Sequence, residues 1–516
     1  MPDNSNDSNQ VRIQLLPIGA VMDVERGALL QNLLSAHGME FPCGGLGTCG
    51  GCRVQILEGY VEPTAEERAV LSREDLLDGW RLACYLRADS PLKLKIEQWT
   101  MPVLVDESQL AKTQRRGLAI AIDLGTTTLV AQLLDLVTGK LLGFRTALNP
   151  QAVHGADVMS RVRFAFDSNE LTTIIREFLG EMVQDVASGR QDEVVEVVLV
   201  GNTVMHHLFC GVDTEPLSHV PFASPNLGEQ RFSPKELHWQ LSDAATIRFL
   251  PCIGGFVGSD ILAGIIAVGL HTGDRLRALI DLGTNGEISL GNRERILCAS
   301  TAAGTAFEAG EIKMGMRAAT GAISRVFYNN GTFQCDVIGD VAARGLCGSG
   351  LVDAVAAGLN AEIIAPRGRF QNGSKEFPLS GIVKLWQNDV RELQLAKAAI
   401  ASGMRILLDH WGATIDDVEE VYLAGAFGNY VRAESAVRIG LLETPVGRLV
   451  PSGNTALRGA KLLIGVNDFP VLDMIQHIGL ASDPKFQDRF VDCMAFPNAE
   501  VFAERVAVAQ VPTVAV

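Results

Sequence analysis

Four cysteines near one end constrain this chain more than any other feature. They stand at Cys43, Cys49, Cys52 and Cys84, a C-x5-C-x2-C-x31-C spacing. Three belong to one stretch, FPCGGLGTCGGCRVQILEG, and the fourth lies in GWRLACYL. Thiolates are the ligands that soft iron prefers, and four of them close the coordination of two irons. A loop wrapping such a cluster needs left-handed backbone and N–H groups turned toward sulfur. Gly44, Gly45, Gly47, Gly50 and Gly51 permit both. The flanks agree: VRIQLLPIG alternates as a strand, ALLQNLLSAHG has a helical period with a glycine stop, and CRVQILEG resumes a strand.

Two other chemistries fit parts of this pattern. Gly45 to Gly50 matches the G-x-G-x-x-G dinucleotide fingerprint, but it follows no strand and has Cys49 inside it. Zinc ribbons also use C-x2-C, yet their cysteines come two and two, whereas here they come three and one. The spacing therefore points to a one-electron 2Fe–2S carrier. Over about residues 10–98 the arrangement resembles the plant- and adrenodoxin-type ferredoxin family, including RLAC before the fourth cysteine. That resemblance implies a β-grasp fold.

Composition narrows the partners. With 44 basic and 60 acidic residues the formal charge is −16, and no long Lys/Arg block occurs. Nucleic acid and an anionic membrane surface are thereby disfavoured. The polar start MPDNSNDSNQ has no basic-then-apolar order, so no signal peptide is expected. Leu250 to Leu270 is the most membrane-like stretch, but Asp260 and five glycines interrupt it, which predicts a buried strand–turn–helix. The remaining six cysteines are scattered, as in a protein of the reducing cytoplasm.

Residues 99–117 have no strong period and read as a linker, long enough for the small domain to move. A second kind of sequence then begins. LAIAIDLGTTTLVAQLLDLVTGKLL is a strand ending in Asp-x-Gly-Thr-Thr-Thr, a second strand, a turn and a third. ALIDLGTNGEISLGNRERIL repeats the phrase 158 residues later, setting Asp281 against Asp123. Such repetition predicts a duplicated α/β domain with a cleft between its halves. Gly125 and Gly283 let backbone approach a phosphate, and Thr126, Thr127, Thr284 and Asn285 offer donors to its oxygens. Asp123 and Asp281 end their strands where they can hold Mg²⁺ directly or through water, and are the expected catalytic pair. In VYLAGAFGNYVRAE, a strand enters Gly425-Ala-Phe-Gly428, whose small residues would let an adenine lie on the backbone. No G-x4-G-K-[ST] occurs, so a P-loop ATPase is unsupported.

Over roughly residues 118–470 this set resembles the superfamily of acetate and sugar kinases, heat-shock chaperone ATPases and actin (ASKHA). Asp123–Thr128 is similar to its first phosphate motif, Asp281–Asn285 to its second and Gly425–Gly428 to its adenosine motif, with 345–350 similar to a connecting-helix start. The fold class implied is multidomain. A β-grasp 2Fe–2S domain (11–98) after a short tail (1–10), and a linker (99–117), precede a duplicated actin-like ATPase domain with halves at 118–278 and 279–516.

A ferredoxin domain fused to an ASKHA domain is a narrow combination. The whole chain resembles the reductive activators of corrinoid proteins, with CASTAAGTAFEAGEIKMGMRAATGAI (298–323) close to a phrase of that family. The resemblance implies ATP-dependent reduction of a corrinoid protein from Co(II) to Co(I), supporting methyl transfer. A low-potential reductant or reductase is the implied donor, and 2Fe–2S, ATP and Mg²⁺ are the cofactors. Plant-type clusters lie near about −400 mV, and the cobalt couple is expected to be lower. Each ~100 mV uphill costs about 2.3 kcal/mol per electron, within reach of nucleotide-switched binding. The alternatives are a small-molecule kinase with a redox-sensing ferredoxin domain, an ATP-driven electron donor to another low-potential enzyme, and a binding or chaperone module. Better-known members of this family carry a middle domain between the linker and the ATPase region that the reading above leaves no room for, so a dimer formed through it is not implied for this chain and the oligomeric state stays open.

Other residues draw attention for simpler reasons. His206 and His207, adjacent in sequence, fall on different helix faces and read as packing or surface residues. Cys347 reads as a small buried thiol. Glu308 and Glu311 read as water-orienting candidates or as a cap, and Asp353 as a helix-dipole partner.

Overall fold

The computed structural model describes residues 10–16, 20–36, 39, 47, 52–96, 106, 108, 110, 115–155, 157–283, 285–329, 331–371 and 373–507. Cys43, Cys49, Gly44, Gly45, Gly50, Gly51 and Thr284 lie outside these. The chain forms two compact units: 1–102 with 305–365 and 369–393, and 103–304 with 366–368 and 394–516.

In the first unit, alternating apolar residues of Gln10–Leu16 and Leu92–Ile96 turn Ile13, Leu15, Leu92, Leu94 and Ile96 to one buried face. These two strands pair in parallel at the centre of a five-stranded sheet, ordered Ala20–Glu25, Gln10–Leu16, Leu92–Ile96, Arg53–Glu58, Trp80–Leu82. The other pairs are antiparallel, and helix Gln31–Ala36 adds Leu34 to the core. This is the β-grasp arrangement expected from the ferredoxin resemblance. The same unit holds a small sheet of Ala322–Asn329, Thr332–Val337 and Gly345–Leu346, and the helix Gly348–Asn360.

Near-continuous apolar runs are what a parallel sheet covered on both faces requires. LAIAI, VVLV and ALI supply them in the second unit. Its first sheet sets Thr246–Phe249, Val194–Gly201 and Leu118–Leu124 in parallel, followed antiparallel by Thr128–Asp135 and Leu141–Leu148. The second repeats that order with Leu449–Gly453, Val421–Ala424, Arg277–Leu282, Gly286–Gly291 and Ile296–Thr301. Each sheet gains one further edge strand, Gln230–Phe232 in the first and Ile475–His477 in the second. Duplication is thus visible in topology as well as sequence.

Two helices, Ser259–Ala267 and Thr455–Leu462, pack together between the sheets on small residues. A Cβ on Gly459 would stand 2.0 Å from the Ala263 carbonyl oxygen, so only glycine allows this approach. The helix that begins in the 345–350 stretch, Gly348–Asn360, lies in the first unit, with Gly350 pressed on the Ile323 carbonyl. Leu250–Leu270 is the strand–turn–helix read from its glycines. Among the described residues no helix is long and apolar enough to cross a membrane.

Candidate functional site

Arg53 pairs with Leu82 across two antiparallel strands, so Cys52, just before one, and Cys84, just after the other, meet. Their sulfurs stand 3.3 Å apart, both buried, and the Cys52 carbonyl accepts from the Ala83 N–H. Glu67 fixes the neighbourhood. Its buried carboxylate accepts from the backbone N–H of Leu82 (2.7 Å) and of Thr64 (2.8 Å), closing a capping box on helix Ala65–Val70. Gly47, at φ +70°, faces the Tyr85 ring, which occupies the space of any Cβ. Two adjacent buried thiols, with Gly47 against the Tyr85 ring that follows Cys84, fit an iron–sulfur cluster; Cys43 and Cys49, the other two expected ligands, lie outside the described residues.

The second site stands at the carboxyl ends of the parallel strands, where open α/β sheets bind ligands. Asp123 ends Leu118–Leu124 opposite Val200, and Asp281 ends Arg277–Leu282 opposite Ala424. After Asp123 the chain turns sharply: the Gly125 N–H donates to the Thr128 carbonyl (3.1 Å), and the Thr127 carbonyl accepts from Asn149 (2.8 Å). Thr126 Oγ1 accepts from Asn202 Nδ2 at 2.9 Å. In the second turn the Gly283 N–H donates to the Asn285 carbonyl at 3.1 Å. Gly425, at φ +80°, lies so near that a Cβ would meet Asp281 Oδ1 at 2.5 Å. Gly428 follows in the short helix Gly425–Tyr430, against the Leu423 backbone.

Four residues that the sequence reading did not place there complete the site, Asn202 on Thr126 being the first. Asn454 donates from Nδ2 to Asp123 Oδ2 at 2.8 Å while its own oxygen caps helix Thr455–Leu462. Asp260, in the first turn of Ser259–Ala267, and Glu287, on the strand after Asp281, add two carboxyls. In sequence Asp260 stands out only as a break in an apolar stretch, and Asn202 and Asn454 do not stand out at all. Their signal was local: each asparagine precedes a helix that leaves a strand end.

Four acids in one place repel. Burial raises Asp123 to about 6 against the pull of Asn454. Burial, then the Asp123 charge, raises Asp281 to about 7. Asp260 rises to about 8 through burial and then Asp281 and Asp123. Burial, Asp260 and Asp281 push Glu287 well above the usual carboxylate range, although Ser300 donates to it at 3.3 Å. Like charges so held call for a cation. Among the described residues no three acidic, His or Cys side chains close into a direct metal cage. The set suits Mg²⁺, which keeps several waters and meets carboxylates through them. Asn202 and Asn454 head helices whose N-terminal N–H groups and dipoles favour an anion beside that cation.

The remaining residues of interest behave differently. His206 and His207 are both buried and touch each other, Nδ1 to Nδ1 at 3.3 Å, with His207 Nε2 on Ser224 Oγ at 2.6 Å. Burial first, and other contacts after it, hold both near about 4, so they are neutral packing residues. Asp353 is a correction: it lies in the second turn of Gly348–Asn360 and accepts from the Val326 N–H at 3.3 Å, serving a strand and not the helix dipole. Cys347 is buried beside the Ile323 carbonyl. Glu308 and Glu311 belong to the first unit.

Known proteins match this architecture along nearly its whole length. Residues 15–89 match the 2Fe-2S iron-sulfur cluster binding domain, 118–273 the RACo middle region, and 275–506 the C-terminal domain of RACo, the ASKHA domain. The middle region expected to be missing is therefore present: it is the span read as the first half of the duplicated fold. Its strand order is that of the second half, in keeping with the phrase the two share at Asp123 and Asp281. The corrinoid activation enzyme RamQ of Eubacterium limosum is 36% identical over 411 residues, 72% of this chain and 69% of the relative. The [Co(II) methylated amine-specific corrinoid protein] reductase of Methanosarcina barkeri is 28% identical over 386 residues, 67% of this chain and 69% of that one. A solved reductive activator for corrinoid, iron-sulfur protein superposes with a TM-score of 0.65 at 25% identity, covering 95% of this chain and 98% of its own. A β-grasp domain with paired cysteines, two sheets of one topology and matches across both place the chain in the family of reductive activators of corrinoid proteins.

Proposed function

We propose that this protein couples ATP to the one-electron reduction of a protein-bound corrinoid from Co(II) to Co(I), returning it to methyl transfer. One observation carries the reading: a buried pair of cluster-competent thiols and a cleft of four mutually repelling carboxyls share one chain. The first suits electrons, the second a cation-bound polyphosphate.

Cys43, Cys49, Cys52 and Cys84 would hold a 2Fe–2S cluster, which supplies a low-potential one-electron store. The turns Gly125–Thr127 and Gly283–Asn285 would approach the phosphates from opposite sheets, and Gly425–Gly428 would carry the adenosine. Asp123 and Asp281 would orient hydrated Mg²⁺, with Asn454 keeping the Asp123 carboxylate in place. Asp260, raised by burial and then by its acidic neighbours, would take the proton from water attacking the terminal phosphate. A low-potential reductase is the proposed donor, and the reducing cytoplasm the proposed compartment.

Absorbance of a Co(II) corrinoid protein, followed with a fixed reductant, tests the proposal. Conversion to Co(I) should require both ATP and Mg²⁺. Equal conversion without nucleotide would refute it, as would substrate-dependent ADP production with no corrinoid protein present.

A further inference from the structure

The helix Thr455–Leu462 has polar contacts at both ends, and they lead to different places. At its start, Asn454 holds the Asp123 carboxylate. At its finish, the buried Lys461 ammonium meets three acceptors: the Asp106 carboxylate, the Asp106 carbonyl at 3.0 Å and the Ser108 carbonyl at 2.7 Å. Three acceptors satisfy all three of its protons. Asp106 and Ser108 belong to the segment that follows the iron–sulfur domain, with nine residues between Ile96 and Asp106. Other contacts pin the same segment to the ATPase body. Gln132 Nε2 donates to the Asp106 carbonyl at 2.8 Å, Leu110 N–H donates to Gly139 at 3.0 Å, and Arg115 meets Glu196 at 2.6 Å.

The helix between these ends is short and closely packed along its length. Its eight residues pack Ala456, Leu457 and Ala460 on the first sheet, in a core that Leu110 also joins. Against helix Ser259–Ala267 it presents Gly459 and meets Gly264, small contacts along which packed helices slide. Anything that changes Asp123 acts on the head of this rod, and its tail holds the tether of the redox domain.

We infer that helix Thr455–Leu462 transmits the nucleotide state from Asp123 to the tether of the iron–sulfur domain, with Lys461 as the positioning residue that grips it. The inference rests on the nucleotide reading of Asp123 and adds the route by which that site governs the electron carrier. Lys461 touches neither nucleotide nor cluster in this scheme; it sets where the tether starts.

Hydrogen exchange on the full-length, cluster-loaded protein, with and without Mg²⁺ and a non-hydrolysable ATP analogue, tests it. The wild type should show nucleotide-dependent exchange both at the 125–128 turn and at 106–110, the latter changing by about fivefold or more. Lys461→Gln should keep the response at 125–128 and hydrolyse ATP at an unchanged rate, but lose the response at 106–110 and reduce fewer cobalt centres per ATP. Asp106→Asn, which alters the tether side alone, should behave alike, and Lys461→Arg should restore coupling. A wild type whose 125–128 turn responds while 106–110 does not would overturn the inference, as would a Lys461→Gln protein with undiminished reduction per ATP. Exchange unmoved at both segments would overturn the nucleotide reading itself, and this route with it.

Discussion

Asp123, Asp260 and Asp281 have folded values near about 6, 8 and 7, each above the ordinary carboxylate range chiefly through burial. A carboxyl that titrates higher in the folded state takes up protons on folding. Its contribution to stability is present at low pH and lost as pH rises through the folded value. The nucleotide-free protein should therefore lose melting temperature between about pH 5 and about pH 8. Asp260→Asn should flatten that slope, and Mg²⁺ with ATP should restore the loss. Calorimetry across this range checks the sign; a melting temperature that climbed with pH would contradict it. Asp281→Asn should lower ATPase activity about 10–100-fold, the usual effect of losing a carboxylate that orients a metal's waters. Cys84 belongs to the other site, and Cys84→Ser should abolish the visible cluster spectrum and cobalt reduction while leaving ATP hydrolysis intact.

Short elements set these residues in place. Glu67 ties the start of helix Ala65–Val70 to Leu82, two residues before Cys84. Glu67→Ala leaves two backbone N–H groups unpaired, which should cost about 1–3 kcal/mol and make the cluster easier to lose. Chelator-driven bleaching measures that directly. Beneath the first sheet, Arg248 is buried between Glu196 and Glu229 and also donates to the Val466 carbonyl. Arg248→Met takes one of two arginines from the Glu196 carboxylate, which keeps Arg115 and the Gly465 N–H, so a cost of about 1–3 kcal/mol is expected in a denaturant melt. Strand and turn together explain Gly425: a left-handed backbone and the Asp281 oxygen leave no space for a side chain.

For the whole molecule, the two chemistries should separate under treatment. Removing Mg²⁺ with a chelator should stop nucleotide-dependent Co(II) reduction, yet the cluster should still bleach on adding a strong chemical reductant. Rapid-mixing spectroscopy distinguishes the two steps. If both stopped together, the cleft and the cysteines would not be the independent sites described. The duplicated topology gives the separation a physical basis. The carboxyl ends of two sheets of like order supply Asp123 and Asp281, whereas Cys52 and Cys84 come from a sheet with its own core.

Much of this was legible from residues alone. The cysteine spacing carries the Cys52–Cys84 pair, which two antiparallel strands bring together, while Cys43, Cys49 and the glycines beside them except Gly47 lie outside the described residues. The paired Asp-x-Gly-Thr turns were equally legible, because a repeated strand–turn–strand is written in consecutive residues. The strands around them followed from apolar runs. Asn202, Asn454 and Asp260 were not legible as partners of Asp123 and Asp281, since they lie tens to hundreds of residues away along the chain, whereas Glu287 is close in sequence and faces Asp281 across a hairpin. The order of strands brings them together, and burial there, joined for Asp260 and Asp281 by neighbouring charge, lifts three aspartates out of their usual range. Lys461 is the clearest case. In sequence it is one lysine near the end of a short helix. Folded, it is a buried cation gripping a segment some 350 residues before it, because an ammonium withdrawn from water must find its acceptors wherever the tertiary fold supplies them.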